Sequence, residues 1–409
     1  MRFEEDAIED IESAVFEKIG SAGLQIGKGD RIALTVGSRG IAGLDMIVRG
    51  AVRALKDAGA RPFIIPAMGS HGGATAEGQE EVLASYGVTE SLMGAPVISS
   101  MEVVEIPAPD LENRVFMDKH AWESDGVLLL NRVKPHTDFH GKWESGLAKM
   151  AVIGLGKHKL ANEIHSFGIH GLKDLIVPTA RHLIETGKIV GGIGVVENAY
   201  EKSVVVEVMP AGKIIDADAR LLETARSRMP RLPAADLDLL IVDAMGKDIS
   251  GTGMDTNIIG RTSIKGEADP ETPNIGSIVV TDLTEASHGN ALGVGLADVI
   301  TQRLHDKIDF EATKANIITS SFLERGKIPI IAKTDAEAVE IALRAAGCRD
   351  PESARICRIV STLELSEVLI SSSLKPVIPD CTQLLSGPHP LVDSSGSFPE
   401  IEEFDGGGR

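Results

Sequence analysis

With 409 residues, 43% hydrophobic and 25% charged, the chain has ordinary globular composition and exceeds what one core usually holds, so two domains are expected. Its formal net charge of −19 excludes the concentrated basic face that nucleic acid requires and argues against an anionic membrane surface. Aromatic residues make up only 3%, which leaves the core to Val, Ile, Leu, Ala and Met.

In chain order, a helix is expected from about Glu5 to Leu24, where Ile8, Ile11, Val15, Phe16 and Ile19 fall at helical spacing. The run RIALTV reads as a strand ending at Gly37, followed by a helix over roughly Gly43 to Ala58 and a buried strand at Arg61 to Ala67. Thr75 is a candidate N-cap, with Glu77 in the first turn, for a helix ending near Tyr86 and Gly87. Asp125 to Val133 is a further strand, and GGIGVVENA with SVVVEVMP suggests a hairpin near residues 191–210. A charged helix from Asp216 to Arg228 stops at Met229-Pro230.

The segment Pro230 to Ala235 is the expected domain boundary, because the α/β alternation restarts beyond it. DLLIVDAM, SIVVTDL and KIPIIA read as strands, with helices between Leu292 and Thr319 and at Asp335–Ala346. Strands are also expected around Arg355–Ser361 and Glu367–Leu374. The expected fold class is therefore α/β, with two domains that each carry a mainly parallel sheet flanked by helices and an active site in the cleft between them. The N-terminal domain would span 1–233, the C-terminal one 236–375, and a polar tail 376–409.

The acidic start MRFEEDAIED lacks the basic and apolar regions of a signal peptide. No stretch approaches the roughly 20 apolar residues of a membrane span. Cys348, Cys357 and Cys381 form no CxxC pair, so neither a disulfide framework nor a cysteine zinc site is indicated. A cytoplasmic setting is expected.

Ligands of open α/β sheets bind beyond the carboxyl ends of the strands. Here those ends are followed by Gly37-Ser38-Arg39-Gly40, by Met68-Gly69-Ser70-His71-Gly72-Gly73, and by Lys134-Pro135-His136. The next segment concentrates chemistry further, because His136, His140, His158, His165 and His170 are five of the chain's eleven histidines. Lys157, His158 and Lys159 read as a solvated helix face, whereas Lys149 lies among the apolar residues of GLAKMAVIGLG. A lysine there must be paired or covalently used, since desolvation disfavours its charge.

Pro135-His136, then Ser145-Gly146-Leu147-Ala148-Lys149, then His165 sixteen residues beyond the lysine resemble the nickel-pincer-dependent lactate racemase family. Gly69-Ser70-His71 matches that family's Gly-Thr-His turn, and Val36-Gly37-Ser38-Arg39-Gly40 is similar to its Asp-x-Thr-Arg-Pro loop in the arginine alone. The resemblance implies a 2-hydroxy acid racemase or epimerase that inverts Cα by hydride transfer to a nickel-pincer nucleotide (pyridinium-3,5-bisthiocarboxylic acid mononucleotide). It implies that Lys149 tethers this group through a thioamide and that His165 binds the nickel. His71 and His136 become the alternating acid–base pair, and Arg39 clamps the substrate carboxylate. Transient contact with the enzymes that make the cofactor is also implied.

The family's Asp-x-Asn-x-Tyr-Gln-Ser-x-Lys run is met by Asp255 to Ser263, with Ile259, Gly260 and Ser263 at the tyrosine, glutamine and lysine positions. Lactate is therefore not singled out, and a different or larger 2-hydroxy acid, a sugar acid among them, fits the departure equally. Arg261 or Lys265 could restore the cation, and Lys247 and Asp248 lie in a Gly-rich strand-end loop of the second domain. An insertion of three residues between His136 and Lys149 leaves His140 as the alternative base. Two other readings stand beside this one: a zinc hydrolase using His71, His136 or His140, and His165, and a metal- or nucleotide-binding homologue without catalysis.

Overall fold

The computed structural model describes residues 1–38, 40–380 and 382–401; Arg39 and Cys381 lie outside the described residues. The chain divides into two compact units, one of Glu4–Met229 and one of Pro230–Arg409 together with Met1–Phe3. Both are α/β, as the alternating pattern requires.

The first unit opens with α1 (Ile11–Ser21), where the Asp10 carboxylate accepts the N–H of Ser13 and sets the start of the helix six residues after Glu5. Strand β1 (Arg31–Val36), helix α2 (Leu44–Asp57) and strand β2 (Arg61–Pro66) follow, then α3 (Ala76–Ser85), capped by Thr75 as expected. Strands β3 (Val103–Ile106) and β4 (Val115–Asp118) pair antiparallel as a separate two-stranded sheet that periodicity does not announce. After β5 (Gly126–Arg132), a helical turn at Leu147–Lys149 runs into a π-helical stretch at Met150–Gly154. Helices α4 (Lys157–Ser166) and α5 (Ile176–Glu185), the hairpin β6 (Ile189–Glu197) and β7 (Ser203–Pro210), and α6 (Ile214–Arg228) complete the unit.

Its sheet has the order β2-β1-β5-β6-β7, parallel except for the last pair. The carboxyl ends of β2, β1 and β5 are therefore neighbours, which brings the loops carrying His71, Ser38 and His136 to one edge. One core layer joins Val15, Leu34, Ile47, Leu55, Ile64, Leu128 and Ile193. Helix α2 lies close against α1 at Gly50, where a Cβ would stand 2.4 Å from the Glu12 carbonyl oxygen. Gly50→Ala is accordingly expected to cost about 2 kcal/mol through overpacking, read as a lower urea midpoint with an unchanged slope.

The second unit places β8 (Asp236–Met245), β9 (Asn274–Leu283), β10 (Val299–Thr301), β11 (Ile330–Ala332), β12 (Ile356–Ile359) and β13 (Leu369–Ile370) in the order β11-β10-β9-β8-β12-β13. All neighbours are parallel except β12 and β13. The short β10 lies inside the stretch expected to be helical; its three residues are too few to show a period. Helices α7 (Gln302–Asp306), α8 (Phe310–Ser320) and α9 (Asp335–Ala345) flank this sheet. Leu239, Ile241, Val279, Val299, Ala338 and Ala342 form its core. No described helix is long and apolar enough to cross a membrane.

Candidate active site

The turn that presents Lys149 is held from below by a buried carboxylate. Asp218 of α6 accepts the N–H groups of Leu147 at 2.8 Å and Ala148 at 2.7 Å. Gly146 is required for this approach, since a Cβ there would lie 2.5 Å from the Asp218 Oδ1. From the β5 side, Asn131 donates to the Gly146 carbonyl at 2.7 Å. Burial pushes the Asp218 carboxyl up to about 6, although both N–H groups pull it down. Lys149 itself is half-buried, and its Nζ meets Nε2 of His136.

His136 sits in a loop organised around Glu144, whose side chain is fully buried. One Glu144 oxygen accepts the N–H of His136 at 2.6 Å; the other accepts Gly141 N–H at 2.9 Å and Arg226 Nη2 at 2.6 Å. Burial works against the Glu144 charge, but these donors and His140 together hold its carboxyl below the ordinary value. The His136 ring stacks on Phe139 at 4.6 Å between centroids, and its Nδ1 accepts the Asp138 N–H at 3.0 Å. His140 is exposed, with Nδ1 3.5 Å from Glu144, so of the two histidines it is His136 that faces Lys149.

His165 lies in the last turn of α4. Its ring is open to solvent, yet enough protein crowds it that desolvation, ahead of the Lys149 charge, lowers its pKa, with Asp138 pulling the other way. Lys149, His136, Asp138 and His165 thus form one electrostatically coupled group. His71 is exposed at the end of β2, and its Nδ1 is engaged by the Ser38 hydroxyl. Tyr86 fixes Ser38 in turn by donating to its carbonyl at 2.8 Å.

The solvated-face reading of Lys157 is overturned. His158 and Lys159 are exposed, but Lys157 is completely buried and paired with Asp118 at 3.2 Å. It opens α4 on the face that packs inward, which composition cannot distinguish from the outward one.

In the second unit, Lys247 donates to the Gly251 carbonyl at 2.6 Å and to Asn316 Oδ1 at 2.7 Å. Arg261 is paired with Asp298 at 2.8 Å and donates to the Leu296 carbonyl at 2.9 Å. Each of these cations is held by its own unit. Among the described residues, no three His, Cys, Asp or Glu side chains cluster to hold a metal ion.

No protein-family model matches this sequence, and no curated protein matches it. Its fold is similar to that of the lactate racemase apoprotein from Thermoanaerobacterium thermosaccharolyticum, with a TM-score of 0.51 at 15% identity. The alignment covers 88% of this chain and 93% of that one. Two α/β units with mainly parallel sheets are thus a shared architecture.

Proposed function

We propose that this chain is an isomerase that inverts the Cα of a 2-hydroxy acid with a nickel-pincer nucleotide tethered to Lys149. The observation that carries the reading is the grouping of Lys149 with His136 and His165 in a chain whose fold is similar to that of a lactate racemase apoprotein. The donor set fits such a group. A pincer brings its own S–C–S donors, so it needs one protein nitrogen for the metal and one amine for attachment, and His165 near Lys149 supplies both. A zinc centre held by several protein side chains finds no such cluster among the described residues.

When bound, the group would accept a hydride from the substrate Cα and return it to either face. The protein's part is proton handling and positioning. His71 and His136 would take up and return the hydroxyl proton, a task suited to imidazoles at neutral pH. Ser38 at the His71 Nδ1 orients that ring, and the stacked Phe139 restrains the His136 ring. The lowered pKa of His165 keeps its ring unprotonated and able to ligate. Arg39 would clamp the carboxylate, with Lys247 and Arg261 as further substrate-binding cations.

The test is intact-protein mass with nickel analysis on protein made alongside the pincer-synthesis enzymes. A nucleotide-sized adduct mapping to Lys149, with about one nickel per chain as single-imidazole ligation requires, is expected and should vanish in Lys149→Ala. Unmodified protein, with those enzymes active on a known acceptor, would overturn the reading.

A further inference from the structure

A buried cation lies beneath the His71 loop without touching the imidazole. Lys157 and Asp118 are both completely buried, and so is Gln79 of α3. The Lys157 ammonium donates to the carbonyl of Pro66, the last residue of β2, and to Gln79 Oε1 at 3.4 Å, and it is paired with the Asp118 carboxylate at 3.2 Å. Gln79 passes the connection on, because its amide donates to the carbonyls of Gly69 at 3.0 Å and His71 at 3.1 Å. Asp118 completes the frame, accepting Ala121 N–H at 2.9 Å and donating its own N–H to the Leu155 carbonyl at 2.8 Å.

Two further features indicate that this placement is maintained at a cost. Lys157 has a φ of 55°, a left-handed conformation in which a long side chain is strained and glycine would be comfortable. Burial also lowers the lysine pKa, with Asp118 opposing, so the charge is held against desolvation. The loop and the helical segment are in close contact: a Cβ on Gly154 would lie 2.6 Å from the Ala67 carbonyl oxygen, and one on Gly69 3.2 Å from that of Ile153.

We infer that Lys157 is a positioning residue, whose buried ammonium, acting through Gln79, locks the loop of His71 onto the start of the helix that carries His165. The inference rests on the proposed roles of those two histidines, for which a shift of about 1 Å in one loop already matters. Lys157 itself touches neither the substrate nor the metal ligand.

The experiment compares the full-length chain with Lys157→Met and with Gln79→Met, which removes only the relay and leaves the ion pair in place. Both are read by peptide-resolved hydrogen exchange and by the proton titration of the His71 ring, assigned from its loss in His71→Gln. Exchange over residues 67–74 should rise about tenfold or more in each variant with strand β6 unchanged, and the His71 midpoint should move by about half a pH unit. Exchange that rises equally in β6, or a His71 titration that stays at its wild-type midpoint, would overturn the proposal. Should Lys157→Met fail to fold, the Gln79→Met result alone decides. Both readouts use protein without added cofactor, so their failure and a failure of the adduct experiment are separate results.

Discussion

Asp218→Ala is expected to destabilise the first unit by roughly 4 kcal/mol at pH 4 but by only about 1 kcal/mol at pH 7. The alanine leaves the N–H groups of Leu147 and Ala148 buried and unpaired, at about 1–3 kcal/mol each. Against that loss stands the cost of charging a carboxyl whose folded pKa is about 6, up from 3.8. The shift of about two units is worth roughly 3 kcal/mol, and it applies in full because Asp218 is only 4% exposed. A carboxyl raised in the folded state contributes stability that is fully present below the unfolded value and is lost as pH rises through the folded one. The wild type therefore loses stability between about pH 4 and pH 6 on account of this group, and the alanine variant does not. Urea unfolding of both proteins across that range isolates the effect, since every other titrating group is common to them. A difference that stays constant with pH would show that Asp218 is not the titrating group. The same substitution frees the turn that presents Lys149, so it should also slow adduct formation.

How much of this was legible in the sequence depends on whether the signal was local. The strands around RIALTV, RPFIIPA and DGVLLLNRV are apolar runs bounded by turn residues, and each appears where it was expected. The residues that follow them could be singled out because parallel strand ends are where ligands bind. Asp218 also left a trace: it falls in register with Ile214, Ala217, Leu221 and Leu222 on the buried face of α6, an acid on an apolar stripe. Lys157 left none, because its neighbours His158 and Lys159 are exposed and only the tertiary fold decides which residue of the run turns inward. The β3–β4 hairpin was hidden for a related reason: four-residue strands give too little alternation to register. Glu144 has no local signature either, since its partners Arg226 and His136 meet it only after α6 folds back along the loop.

Glu144→Ala should cost about 3 kcal/mol at pH 7, because hydrogen bonds to a charged group are worth about 1.5–3 kcal/mol each and the alanine leaves the N–H groups of His136 and Gly141 without this acceptor. The pH dependence runs opposite to that of Asp218. The Glu144 carboxyl is held below its ordinary 4.5 by its donors, so its contribution is present above that value and is lost as pH falls through the lower folded one. The gap between wild type and Glu144→Ala should therefore narrow on acidification, whereas the gap for Asp218→Ala should widen. Function should suffer beyond stability, because the Glu144 oxygen on the His136 N–H fixes the backbone from which that imidazole reaches Lys149. A loop relaxed by about 1 Å is enough for roughly a hundredfold loss of rate. Denaturation curves at pH 4 and pH 7, together with the rate at which cofactor-loaded protein interconverts the two Cα configurations of a 2-hydroxy acid, test both halves. An unaltered interconversion rate in the folded Glu144→Ala variant would remove His136 from the catalytic pair, and an exposed His140 would then be the base to examine.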